Sequence, residues 1–236
     1  MRAKRRNPRG PKHMKVSRKL TMIVTGFPLA VIALVPASAR QNSNAASAFD
    51  LGSISGNVYT NNSVGMTYEF PKGWFVDRAG IDAQNKPQDL GPRPTDPQEA
   101  EKYDSMVAMK KGTHALLAVS EHGGDTASDS GPRIQLSVSP VFENRSGAEI
   151  LKGMKAAYSN MRLIQIVDDP VDYTFGDQTF SRMDMRLLDV ILHGDAGFQS
   201  AVIGTRSGQY LQFLILANTP EQLDSLVHSL DSLRFK

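Results

Sequence analysis

The chain has 236 residues and a net charge of +3, from 27 Lys and Arg against 24 Asp and Glu, and it contains no cysteine. Disulfides, thiolate metal ligands, cysteine nucleophiles and acylated-cysteine anchors are therefore excluded. Nine of the basic residues fall within residues 1–19, which hold no acid, so the remainder carries 18 basic against 24 acidic residues. That remainder is net negative, and the positive total is no reason to expect a nucleic-acid partner.

The basic leader runs into an apolar stretch, 20–35, and then Ala37-x-Ala39. This is the pattern of a secretory signal peptide over 1–39, cut before Arg40, with Met1 or Met14 as the start. The alternative is a retained anchor helix, but the apolar stretch is short for a span and holds Gly26 and Pro28. Cleavage would place the chain outside the cytoplasm, in a periplasm or secreted, with no remaining span. Residues 40–56 are rich in Ser, Asn, Ala and Gly and read as a flexible lead-in. The rest, 57–236, suits a single domain with a sizeable core.

Short β runs at 58–61 and 66–70 flank "NSVG" as a hairpin. Pro71-Lys72-Gly73 ends the second, and Trp74, the sole tryptophan, follows. It is expected to be largely buried behind that hairpin. A Pro-rich insertion occupies 80–97. Asp96, Pro97 and Glu99 then mark a helix start, with Asp as N-cap and Pro at the first helical position, and the helix runs to about 111. Strands follow at 114–122 and 133–141, the second with Ile134, Leu136 and Val138 on one face. Ser146 and Glu149 form a capping box for a helix carrying Ile150, Leu151, Met154, Tyr158 and Met161 at near-helical spacing. Strands at 162–175 and 178–188 meet at Gly176-Asp177, and strands at 197–206 and 209–218 meet at Ser207-Gly208. Thr219-Pro220-Glu221 caps a last helix whose stripe is Leu223, Leu226, Val227 and Leu230. Two-residue turns join antiparallel neighbours, and amphipathic helices need a sheet face to cover. The expected class is α+β with a mainly antiparallel sheet.

The ordered set "VYTNNSVGMTYEFPKGWFV", a central helix, "VDYTFGDQTFSRMDMRLL", "GQYLQFLILAN" and "TPEQLDSLVHSLDSLRF" resembles the PsbP-like family, which includes the extrinsic PsbP protein of photosystem II and exported bacterial relatives. The resemblance spans roughly 57–236 and implies an α/β/α sandwich, a central antiparallel sheet flanked by helices, with an extracytoplasmic address. None of its motifs is catalytic. The chain departs from photosynthetic relatives in having no lipid-anchoring cysteine and a longer insertion at 80–97, so no assignment to photosystem II follows.

Catalytic motifs are absent from the sequence. There is no G-x-S-x-G elbow, P-loop, dinucleotide fingerprint or H-E-x-x-H. Two clusters carry metal-ligand residue types: His122 with Asp125 and Asp129, and His193 with Asp195. Their plain reading is solvated loop. His228 is expected to be solvated, and Tyr173, Phe175, Tyr210 and Phe213 to be core. The expectation is a non-enzymatic, protein-binding accessory or assembly factor without a cofactor, whose partner is another extracytoplasmic or membrane-associated protein. A small-ligand or divalent-metal module is the alternative. The long insertion favours the former, because long exposed loops carry interactions.

Overall fold

The structure is a computed structural model that describes residues 49–87, 89–123, 131–141, 144–189 and 194–236. Every strand pairing in it is antiparallel. A four-stranded sheet holds β1 (Ser53–Ser55), β2 (Val58–Asn61), β3 (Met66–Glu69) and β12 (Arg234–Phe235), in that order. A larger sheet contains β4 (Phe75–Val76), β5 (His114–Ser120), β6 (Arg133–Pro140), β7 (Ile164–Ile166), β8 (Val171–Phe175), β9 (Gln178–Asp189), β10 (Gly194–Arg206) and β11 (Gln209–Ala217). Its order is β4-β5-β6-β11-β10-β9-β7, with β8 also paired to β9. Four helices complete the described chain: α1 (Arg78–Asn85), α2 (Pro97–Gly112), α3 (Gly147–Tyr158) and α4 (Pro220–His228). The α+β class and the antiparallel sheet expected from the sequence are both present. Among the described residues no helix is long and apolar enough to cross a membrane.

The caps form as their chemistry requires. Asp96 accepts from the N–H groups of Gln98 and Glu99, Ser146 and Glu149 close a capping box, and Thr219 accepts from Gln222 N–H. The β10–β11 turn holds Ser207 at φ 50° and Gly208 at φ 73°. Positive φ at both central residues gives the backbone twist that suits a tight hairpin.

Along β10, alternate side chains join different clusters. Ala201 and Ile203 pack with Ile150, Leu151 and Met154 of α3, together with Met183, Met185 and Tyr210. Val202 packs into the larger core, with Phe213, Leu211, Tyr68 and Phe70 and with Leu223, Leu226 and Val227 of α4. Successive strand residues point to opposite faces, so α3 and α4 draw on different sides of β10. After α4, Leu230 and Leu233 are fully buried, and β12 pairs with β3.

The structure departs from the sequence expectations at five places. Residues 53–55 are a strand paired with β2, where a flexible lead-in over 40–56 was expected; Asp50 supports that start by accepting from Gly52 and Asn62 N–H. Within the expected insertion at 80–97 lies most of α1, which is capped by Asp77 and buries only Ile81. The expected strand at 162–175 is two strands, β7 and β8, both paired to β9. Asp168-Asp169-Pro170 lies between them, and proline has no N–H for the ladder. Trp74 packs against the core only half-buried. Tyr173, expected in the core, is 37% exposed, unlike Phe175, Tyr210 and Phe213.

Candidate functional site

Of the metal-type residues named from the sequence, His122 is the one whose side chain lies among the described residues. His122 is exposed, with Nδ1 at 3.8 Å from Glu121 Oε2. Asp125, Asp129 and His193 lie outside the described residues. Asp195 is placed only through its backbone pairing with Leu188 in β10. His122 follows β5, and β6 and β11 stand between β5 and β10. Among the described residues no three His, Asp or Glu side chains gather in a way that could hold a metal ion. His228 is exposed as expected, with Nδ1 2.8 Å from the Asp224 carbonyl.

The loop before α2 is exposed but tied down. Arg93 donates to both carboxylate oxygens of Asp104 at 2.8 and 2.7 Å, and Tyr103 Oη donates to Gly91 O at 2.7 Å. Both partners of the ion pair are solvated, so the pair orders the loop more than it stabilises the fold.

The described residues concentrate unusual chemistry at the sheet margin formed by β7, β8 and β9. Strand parity places Arg182 and Asp184 on the same face of β9. Arg182 is 5% exposed. Its Nε and Nη2 donate to Asp184 Oδ1 and Oδ2 at 2.8 and 2.7 Å, and Nη2 also donates to Asp224 Oδ1 of α4 at 2.6 Å. The Tyr173 ring centroid lies 5.5 Å from the guanidinium carbon. Burial by itself would lower the guanidinium pKa, but hydrogen bonds and the charges of Asp184 and Asp224 outweigh it, and the net shift is upward. Arg182 is therefore a permanent cation fixed between two carboxylates, with no proton to exchange in catalysis.

An open cleft of about 450 Å³ lies over this group and is lined also by Asp168, Asp169 and Val171. Lys155 Nζ donates to Asp169 at 2.6 Å and holds that carboxyl below its usual range. Around the cleft, Leu163, Val167 and Val171 are 45–49% exposed, beside the partly exposed Tyr173. Apolar side chains and carboxylates thus share one solvent-facing strip along segment 163–173.

The sequence reading missed this strip. The strand that carries Arg182 and Asp184 was expected at 178–188, but no site was placed on it. The guanidinium of Arg182 is also held by Asp224, which lies 42 residues further along and is delivered by α4. No local pattern carries that information.

No family model matches the chain, and no curated protein matches it in sequence. The solved structures similar to it include the following two. The solution structure of cyanobacterial PsbP (CyanoP) from Synechocystis sp. PCC 6803 aligns with 79% of this chain and 99% of that chain, at 12% identity and a TM-score of 0.45. The crystal structure of LpqN, involved in cell envelope biogenesis of Mycobacterium tuberculosis, aligns with 71% of this chain and 78% of that chain, at 12% identity and a TM-score of 0.37.

Proposed function

We propose that the chain is an exported, non-enzymatic accessory domain, layered as α/β/α, that binds a protein partner through the β7–β8 margin of its large sheet. The observation that carries this reading is the coincidence of exposed Leu163, Val167, Val171 and Tyr173 with an unpaired sheet edge. Grouped exposed apolar side chains on a soluble domain mark interaction sites. The cleft beside them supports binding rather than turnover, because its one guanidinium is already engaged by Asp184 and Asp224. Export rests on the leader pattern of residues 1–39.

The test is site-specific photocrosslinking in the native host. A photoreactive residue at Val171 or Leu163 should give discrete protein adducts, whereas one at the exposed Ala108 of α2 should give none. Equal adduct yields from all three positions would remove the margin as the contact face. N-terminal sequencing of the mature protein should begin at Arg40 or within a residue or two, and a mature chain retaining residues 20–35 would make it an anchored domain.

A further inference from the structure

The backbone of β8 determines what kind of partner the margin can take. The β8–β9 hairpin closes on the two-residue turn Gly176-Asp177, with Phe175 opposite Gln178 and Gly176 at φ 62°. The closing pair of such a turn is hydrogen-bonded. Pairing alternates from there, so Phe175, Tyr173 and Val171 bond to β9, while the N–H and C=O groups of Asp172 and Thr174 point away from it. Asp172 and Thr174 are exposed, and among the described residues β8 pairs with β9 alone. These outward groups form a ladder rung awaiting another strand.

Side-chain parity then sets the chemistry of that strand. Val171 and Tyr173 stand on the face of Arg182, whereas Asp172 and Thr174 stand on the other, where Ser181 Oγ donates to Asp172 at 2.7 Å. A strand laid alongside would place alternate residues against an apolar pair and against a carboxylate. From 168 to 177 there are four aspartates and no Lys or Arg. Lys155 offsets Asp169, with Lys152 also acting on that carboxylate, and Arg182 is held by Asp184 and Asp224, which leaves Asp168, Asp172 and Asp177 to set the charge along β8. Like charge would repel an acidic segment, and opposite charge would attract a basic one.

We infer that β8 accepts an extended segment of a partner protein as an added strand, and that this segment alternates basic and apolar residues. The inference deepens the proposed function and rests on the β7–β8 margin being the contact face. Strand addition supplies affinity through backbone bonds and specificity through alternate side chains.

The probe is a fluorescein-labelled, end-capped Lys-Val-Lys-Val-Lys-Val peptide, followed by anisotropy with the exported protein. It should bind, weaken as salt is raised, and slow the hydrogen exchange of the Asp172 and Thr174 amides. A Glu-Val version should not bind. The same Lys-Val peptide with alternate amides N-methylated, so that it cannot complete the ladder, should bind about tenfold more weakly, as should the Thr174→Pro variant, which removes one outward donor. If Thr174→Pro fails to fold, the N-methylated peptide and the amide exchange decide alone. Equal binding by the N-methylated peptide would overturn strand addition, yet would leave the margin as contact face if crosslinks at Val171 persist. Absence of Lys-Val binding, or concentration-dependent self-association that disappears on Thr174→Pro, would also overturn it, the latter by making a second copy the occupant.

Discussion

The large sheet has two outer margins, and they are built differently. On the β5 side, β4 pairs with Val119 and Ser120, Asp77 N–H donates to Ala118 O at 2.8 Å, and Asn85 of α1 both accepts from Ala115 N–H and donates to Ala115 O at 2.8 Å. A side-chain amide there stands in for a missing strand. On the β8 side no such cover exists among the described residues, and the outward groups of Asp172 and Thr174 meet solvent on either side of Tyr173. Charges on an edge can serve simply to keep other chains away. Exposed valine, leucine and tyrosine do the opposite. The contrast teaches that β5 is covered by the fold itself, although Phe75 of the terminal β4 is 55% exposed, while the other margin combines an open ladder with a group of exposed apolar side chains.

The largest effect should come from the group that supports the open margin. Arg182→Ala should destabilise the protein by about 3 kcal/mol, at the low end for a broken buried pair, because Asp184 and Asp224 keep partial access to water. Arg182→Met, which retains bulk beneath Tyr173, should recover part of that loss. Urea unfolding of both variants checks the ordering, and equal losses would show that packing plays no part.

Next in size is a direct exchange between the margins. Asn85→Ala should cost about 1–3 kcal/mol by leaving the N–H and C=O of Ala115 without their partner. Val171→Thr at the open margin should change stability by less than about 0.5 kcal/mol, while abolishing partner crosslinks at neighbouring positions. Reversal of the two stabilities would invert the assignment of closed and open edges.

Trp74, which leads into β4 at the closed side, should give an intermediate result. Its half-burial implies that Trp74→Ala costs about 2 kcal/mol, below the ~3–5 kcal/mol of a fully buried aromatic. Native fluorescence should lie between the buried and unfolded wavelengths.

The smallest effect is a pH dependence at the closed margin. His114, stacked on Phe49 with ring centroids 4.5 Å apart, has its pKa lowered by burial. Its neutral form is therefore favoured in the fold, and its contribution to stability is complete above the unfolded value near ~6.5. That contribution is lost as pH falls through the lowered folded value, because the unfolded chain then binds the extra proton. Thermal unfolding between pH 8 and 5 should show this decrement in the wild type and a smaller one in His114→Gln.

The parts of the fold that were legible in the sequence are those with local chemistry. Asp96, Ser146 with Glu149, and Thr219 each satisfy N–H groups within their own first turn, so their residue types alone marked the helix starts. Gly176-Asp177 and Ser207-Gly208 set hairpin registers in the same way. α1 was hidden because it buries a single side chain, Ile81, and offers no periodic stripe. β1 was hidden because three residues between two glycines become a strand only when β2 is beside them. At the candidate site, the strand that carries Arg182 and Asp184 was readable, at 178–188. That the guanidinium also meets Asp224 of α4 is a tertiary fact with no local signature.

Amide hydrogen exchange on the free protein tests the contrast between the margins most directly. The account predicts that the Ala115 N–H, held by Asn85, exchanges slower than an unstructured peptide by on the order of a thousandfold or more, while the Thr174 N–H exchanges within about tenfold of one. Comparable strong protection at Ala115 and Thr174 would contradict it, by showing that the β8 edge is already covered in the protein alone.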